Sequence, residues 1–185
     1  MTNLCIAPET KCRVIDMAWL LNDLTSDLKT PVDLINTYRQ EMINNKQNFM
    51  SFTRLFLTSA IISLSKFDEI INHYGKEIKD FPEDLRNSIK NIKNQIEERG
   101  VYKFRSQYLA HAFSTKDGQK KPLTFDENVK ALMKIVDYGL NPIEENFFKF
   151  SEWIYKKDDE ESVVNVNFRV VQHIDSIVGG LGKRS

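Results

Sequence analysis

Apolar residues recur at intervals of three and four positions along most of this chain, which is the period of an amphipathic helix. Thr30-Pro31 predicts the start of a second helix, because Thr is a good N-cap and Pro is tolerated in the first turn. A polar stretch at residues 44–48 predicts a short break, and Gly75 is expected to end the apolar helix that follows. The helices predicted up to residue 75 cover 9–28, 30–43 and 47–74.

Helical spacing continues in the second half of the chain. Asp80-Phe81-Pro82 predicts a helix start and Gly100 the matching end. STKDGQKKP, residues 114–122, is interpreted as an exposed basic loop because it combines Gly, Pro and three lysines. Residues 162–181 fit both the period of a strand and that of a helix, and we interpret them as a helix. Further helices are predicted over 101–113, from about 125 to 140 and over 142–157.

The composition also favours an all-α fold. Only seven Gly and five Pro occur among the 185 residues. A sandwich or a barrel needs many turns, and turns are rich in these two residues, so the composition argues against both folds. We expect one helical domain over residues 1–157, with its core starting near residue 30. Residues 158–185 are expected to form an acidic linker and a C-terminal extension, interpreted as helical.

Charge and cysteine content narrow the class of protein. The 26 basic residues balance the 26 acidic ones, which argues against a protein that wraps duplex DNA by bulk electrostatics. Cys5 and Cys12 would lie roughly 10 Å apart on a helix, too far for a disulfide. No signal peptide opens the chain, and the most apolar stretch, residues 49–64, is too short and polar for a membrane span. We therefore expect a cytoplasmic protein without a membrane contact.

The familiar motifs of metal and nucleotide sites are missing from the sequence. The histidines are spread widely and have no neighbours at the spacing of a zinc site; they are His73, His111 and His173. There is no P-loop, dinucleotide fingerprint or nucleophile elbow. Neither a metal nor a cofactor is expected.

One segment, VYKFRSQYLAHAF at residues 101–113, carries candidate chemistry. On a helix, Arg105, Tyr108 and His111 would follow one another in steps of about 60°, forming an oblique polar stripe. Arg presents a planar charged fork that suits phosphate oxygens, and His can move protons near neutral pH. The ordinary alternative is a solvated or hydrogen-bonded face of an amphipathic helix.

The same residues resemble a known family. FRSQYLAH, residues 104–111, contains an Arg, five further residues and a His, which is similar to the R-x4-6-H signature of the HEPN superfamily (higher eukaryote and prokaryote nucleotide-binding domains). The Ala110-His111 pair and the preceding apolar helix, residues 49–71, look most like its AbiU-like, abortive-infection branch. The likeness covers roughly residues 30–155.

This resemblance implies an up-down helical bundle of HEPN type with additional N- and C-terminal helices. It also implies a homodimer and metal-independent RNA cleavage by a toxin–antitoxin or phage-defence protein, with an antitoxin as a possible partner. Arg105 and His111 would be the catalytic pair, and Ser106 would take the polar position that is often Asn or Asp in the family. Tyr108 joins the candidate site because of its place in the stripe.

A dimer would explain the chemistry of such a site. Attack of an RNA 2′-hydroxyl on the adjacent phosphate needs one group to remove a proton and another to supply one to the leaving oxygen. Two copies of His111 could share these roles, while two copies of Arg105 stabilise the charge on the phosphate. The products would then carry 2′,3′-cyclic phosphates.

Other basic residues have both a functional and an ordinary interpretation. The nearby lysines either guide the RNA backbone or are merely solvated; they are Lys103, Lys116, Lys120 and Lys121. Arg54 is expected to be paired inside the helical bundle or at its edge, and His73 to stabilise a helix end. His173 is given no role.

Two alternatives to a ribonuclease remain open at this point. The HEPN-like fold could serve as a non-catalytic scaffold that binds RNA, a nucleotide or a protein, with the motif at a dimer interface. An unrelated helical partner-binding domain is the third hypothesis.

Overall fold

The computed structural model describes residues 8–106, 113–116, 119–122, 131–136 and 143–182. These residues are mainly α-helical, as predicted, with one two-stranded ribbon in addition. Residues 131–135 are also helical. The labelled elements are α1 (Pro8–Thr37), α2 (Arg39–Asn44), α3 (Lys46–His73), α4 (Gly75–Ile78), α5 (Glu83–Glu98), α6 (Val101–Phe104), β1 (Phe113–Lys116), β2 (Gln119–Pro122), α7 (Ile143–Ile154) and α8 (Val163–Val178).

Helix α1 lies at the centre of the packing. Its apolar stripe includes Met17, Ala18 and Leu21, which are fully buried. It packs against α3 on one side and α8 on the other. Helix α7 adds an aromatic cluster, in which the Phe147 ring meets the rings of Phe49 and Phe56 edge to face at 5.6 and 5.3 Å.

The predicted helix start at Thr30-Pro31 is wrong, because α1 runs through Pro31 to Thr37. A proline inside a helix loses one backbone hydrogen bond and costs about 3 kcal/mol. The continuous helix keeps Leu28, Val32 and Ile35 on one buried stripe. Burial of that stripe offsets the cost, so the sequence signal of a helix start is overridden by packing.

The predicted break between the second and third helices is confirmed at Asn45, whose backbone is extended. The long apolar helix is confirmed as α3, although Gly75 does not end it in a left-handed turn. Tyr74 separates α3 from α4, and Gly75 is the first residue of α4. A second short helix therefore replaces the expected turn.

Helix α5 matches the prediction closely. It begins directly after Pro82, and four apolar residues spaced along one stripe are buried: Leu85, Ile89, Ile92 and Ile96. Gly100 has φ +70°, a left-handed conformation that favours glycine over residues with a Cβ. This turn directs α6 back against α3 and α5.

The predicted helix over 101–113 and loop over 114–122 are both wrong in part. Helix α6 ends at Phe104, and Phe113 already belongs to β1. The strands pair antiparallel, with Ser114 opposite Lys121. Asp117-Gly118 separates them in the sequence, and this pair favours a two-residue hairpin turn. The hairpin signal therefore lies inside the residues that were interpreted as a loop.

The final segment is a helix, α8, as predicted, but the core does not close near Lys157. Helix α7 ends at Ile154, before the acidic stretch, and the apolar face of α8 then packs against α1. Five of its apolar side chains are fully buried: Val163, Val164, Val166, Val170 and Ile174. These side chains bury the apolar face of α1, so residues 163–178 contribute to the core.

None of the helices in the described ranges combines the length and the apolar composition needed to cross a membrane.

Candidate functional site

Arg105 and Ser106 form a wide, π-type turn directly after α6. Helix α6 is only one turn long, and it is anchored by Val101 and Phe104, which are buried against the neighbouring helices. The anchored turn projects Tyr102 and Arg105 outward along the side of α3. The position of Arg105 therefore depends on the short helix and on the left-handed turn before it.

The Arg105 guanidinium forms an ion pair with Glu69 of α3. Both side chains are accessible to solvent, with 37% of Arg105 and 49% of Glu69 exposed. The guanidinium carbon also lies 5.9 Å from the centre of the Tyr102 ring. An ion pair this exposed contributes little to stability, so the guanidinium can exchange its carboxylate for another anion at small cost.

An open groove of about 530 Å³ lies beside this ion pair. Its wall from α3 is polar, and its other wall is the exposed ring of Tyr102. Among the residues that the structure describes, five line it: Asp68, Glu69, Asn72, His73 and Tyr102. The groove thus brings an aromatic ring, an imidazole and a guanidinium-bound carboxylate to one surface.

Hydrogen bonds fix the α3 wall of the groove. Asn72 Nδ2 donates to Asp68 Oδ2 at 2.9 Å, and Lys93 Nζ of α5 donates to Asn72 Oδ1 at 2.5 Å. These contacts tie α5 to α3. The amide of Asn72 is therefore held in one orientation before any ligand arrives.

A second charged contact supports the end of α3. Arg13 Nε donates to Glu77 Oε1 at 2.5 Å, and its Nη2 reaches the His73 carbonyl at 3.4 Å. The hydrogen bond from Arg13 is the main reason that the pKa of Glu77 falls below its ordinary value of 4.5. This contact links α1 to the end of α3 that carries the groove.

The structure describes only some of the predicted site residues. Ser106 Oγ donates to the Lys103 carbonyl at 3.1 Å, so its hydroxyl is used within its own turn, and Lys103 is exposed nearby. Tyr108 and His111 lie outside the described residues. The stripe geometry that placed them beside Arg105 assumed an α-helix to residue 113, whereas Phe113 lies in β1, and their position relative to Arg105 stays a prediction.

The remaining basic candidates lie on the hairpin, on α3 and on α8. The hairpin pairs Lys116 with Gln119, Lys120 with Thr115 and Lys121 with Ser114, while the side chains of these lysines lie outside the described part of the structure. Arg54 is exposed on α3 and is not buried within the bundle. His173 packs edge to face on Phe81 at 4.9 Å, and burial lowers its pKa.

Four groove residues were not among the sequence-predicted site residues, namely Asp68, Glu69, Asn72 and Tyr102, and His73 was assigned only to a helix end. The spacing of Glu69 and His73, four residues apart on a predicted helix, places them on one face. That signal shows a shared polar face on α3. The spacing of these residues does not show that α6 crosses the same face. That crossing is what creates the groove.

Within the described residues, no three His, Cys, Asp or Glu side chains form a group that could hold a metal ion. Comparisons with protein-family models, with curated proteins and with solved structures found no match for this chain. The assignment of function therefore depends on the residues themselves.

Proposed function

We propose that this protein is a metal-independent endoribonuclease of HEPN type, acting as a toxin or phage-defence effector through Arg105 and His111. The observation that carries the proposal is the Arg105 guanidinium, solvent-accessible at an open groove that also contains an imidazole and an aromatic ring. A guanidinium in this setting suits a phosphodiester, because it can form two parallel hydrogen bonds to phosphate oxygens.

The proposed chemistry divides proton transfer and charge stabilisation between different groups. His111 would remove the proton of the attacking 2′-hydroxyl or protonate the leaving 5′-oxygen. Arg105 would stabilise the charge that develops on the phosphate. A homodimer supplies two copies of each residue, so both proton transfers can be served at one composite site.

The groove offers one further proton carrier. His73 lines it from the last turn of α3, on the same helix as the carboxylate that holds Arg105. It therefore has to be tested beside His111. The proposal also includes the HEPN-type up-down arrangement of the core, an antitoxin partner and a cytoplasmic location.

The decisive experiment is cleavage of total RNA and tRNA in EDTA, with the product ends identified. Wild-type protein should leave 2′,3′-cyclic phosphates, and Arg105→Ala and His111→Ala should each reduce the rate by about a hundredfold or more. His73→Ala tests the second imidazole, and His173→Ala is the matched control outside the groove. Circular dichroism and light scattering should show that every variant remains a folded dimer.

An unchanged rate in His111→Ala would eliminate the proposed catalytic pair. Absence of cleavage by a folded wild-type dimer would favour the second candidate, a non-catalytic scaffold that binds RNA, a nucleotide or a protein. The Arg105–Glu69 ion pair favours this second candidate, because the motif arginine already has a carboxylate partner. A scaffold of this kind should lose association when Tyr108 is replaced.

A further inference from the structure

Exposed apolar side chains cluster on the outer side of the α1–α3 pair. Ten large apolar side chains of the described residues remain exposed, and half of them belong to this cluster. We call it the outer apolar face; it consists of Leu34, Tyr38, Phe52, Leu55 and Ile62. Scattered exposed apolar residues are ordinary, whereas a contiguous group is typical of a surface that another molecule covers.

Two contacts define how α1 and α3 run past each other. Arg13 of α1 reaches the His73 carbonyl at the end of α3. Further along α1, Asp27 Oδ2 lies 3.4 Å from Lys66 Nζ, which is nearer the start of α3. The two helices are therefore antiparallel.

The same alignment brings the apolar side chains of both helices together. Leu34 follows Asp27 by seven residues, a step that returns to the same side of a helix. On α3, Ile62 and Leu55 precede Lys66 by four and eleven residues, and these steps also keep one side. Because the helices are antiparallel, both sets of apolar residues extend in the same direction from the ion pair. They therefore form one continuous surface.

The hydroxyl groups that border the outer apolar face do not make it polar. Ser51 Oγ donates to the Gln47 carbonyl at 3.0 Å, and Thr58 Oγ1 donates to the Arg54 carbonyl at 2.9 Å. Each hydroxyl is thus bonded to its own helix. A molecule that covers the face must therefore match it mainly with apolar groups.

The spacing of the face favours a helix as its occupant. Phe52, Leu55 and Ile62 fall at steps of three and seven residues, and the small Ser59 takes the position between the last two. Alternating steps of three and four residues form the seam into which a second helix inserts its side chains. Leu34 of α1 gives that helix a second wall.

One charge at the edge of the face specifies the partner further. Arg54 is exposed next to Leu55, and none of the salt bridges among the described residues includes it. Further along α3, by contrast, Lys66 is paired with Asp27. A cation without a partner beside an apolar seam favours a carboxylate on the incoming helix, in a position that flanks the seam.

We propose that the outer apolar face binds an amphipathic helix of a partner protein, with apolar residues at heptad spacing and a carboxylate that meets Arg54. The proposal does not depend on the proposed function. The face contains none of the groove residues, and Glu69 lies two turns beyond Ile62 along α3.

Fluorescence anisotropy of the full-length protein with two labelled synthetic peptides tests the proposal. Both peptides are helices of about three heptads with Leu and Ile in the seam, and the flanking positions are Glu in one and Lys in the other. Like charges at those positions keep each peptide from pairing with itself. The acidic peptide should bind saturably, and the basic one about fivefold more weakly because Arg54 repels it.

Variants of the protein locate the binding surface. Leu55→Gln should weaken binding of the acidic peptide by about tenfold, because it removes the most exposed apolar side chain of the face. Phe168→Gln is the matched control, since Phe168 is an exposed apolar residue on α8. Circular dichroism should show that both variants are folded like the wild type.

Arg54→Gln should weaken binding of the acidic peptide by about two- to fivefold and remove its advantage over the basic peptide. Arg86→Gln is its matched control, because Arg86 is exposed on α5 and is also absent from the salt bridges among the described residues. Equal losses in both glutamine variants would overturn the role given to Arg54.

The proposal is overturned if the acidic peptide shows no saturable binding, or if it binds Leu55→Gln as tightly as the wild type. Light scattering tests the other occupant. A wild-type dimer that becomes monomeric in Leu55→Gln would show that a second copy of the chain covers the face, and it would overturn the proposal too.

Discussion

Two regions of the molecule differ in the polarity of their side chains. The interface between α1 and α8 is apolar, whereas the groove between α3 and α6 is charged. At the first, Val166, Val170 and Ile174 are completely buried. At the second, Glu69 and Arg105 meet through an ion pair that remains open to water. Stability is therefore concentrated in one region and exchangeable polar contacts in the other.

This contrast follows from the free energies involved. Complete burial of a Val or Ile side chain contributes about 1.5–3 kcal/mol, whereas an exposed ion pair contributes about 0–1 kcal/mol. A contact of the first kind cannot open without unfolding its neighbourhood. A contact of the second kind can be replaced by a ligand, so the groove can change partners while the α1–α8 interface maintains the fold.

The largest expected effect comes from truncating the buried face of α8. Ile174→Ala should lower the free energy of unfolding by about 3 kcal/mol, because it removes buried methyl groups and leaves a cavity. Ile177→Ala makes the same change on the same helix at a site that is 40% exposed, and it should cost less than about 1 kcal/mol. Urea unfolding followed by circular dichroism measures both. Equal losses would show that α8 is not part of the core.

A second, smaller effect is expected from the ion pair between Arg13 and Glu77, which lies at the edge of the core. Glu77 has a lowered pKa in the folded state, so its ion pair contributes stability above pH 4.5 that is lost as the pH falls through the folded pKa. Arg13→Met keeps an apolar chain near Tyr74 but removes the partner of a buried carboxylate. It should destabilise the protein at pH 7 and flatten the loss of stability on the acid side.

Glu77→Gln provides the comparison for that variant. It removes the charge and the titration together, so it should flatten the acid limb while costing less at pH 7 than Arg13→Met does. Thermal unfolding between pH 3 and pH 7 measures both effects. An acid limb that is unchanged in both variants would show that other carboxylates control it.

These two regions also differ in how far the sequence predicts them. The apolar stripes of α5 and α8 are visible as three- and four-residue spacings, because burial on one helix face dictates that pattern. The helix start at Pro31 was predicted wrongly, since local capping signals carry no information about the packing that continues past them. Periodicity therefore identifies which faces are buried more securely than where a helix begins.

The groove could be predicted only in part. Arg105 was selected from its motif, and Glu69 and His73 share a face that the spacing of α3 already indicates. Their meeting depends on the left-handed turn at Gly100 and on the early end of α6, which are properties of the fold. The motif selected Arg105, but the spacing of apolar and polar residues did not identify Glu69 and Tyr102 as its neighbours.

The smallest expected effect is the stability change caused by breaking the ion pair beside the groove, and it tests directly whether this region contributes to stability. Glu69→Gln breaks the ion pair with Arg105, yet it should change the free energy of unfolding by no more than about 0.5 kcal/mol, because both groups are already solvated. Tyr102→Phe should be equally neutral. A loss in Glu69→Gln as large as that in Ile174→Ala would mean that the pair holds α6 against α3 and belongs to the stable part of the fold.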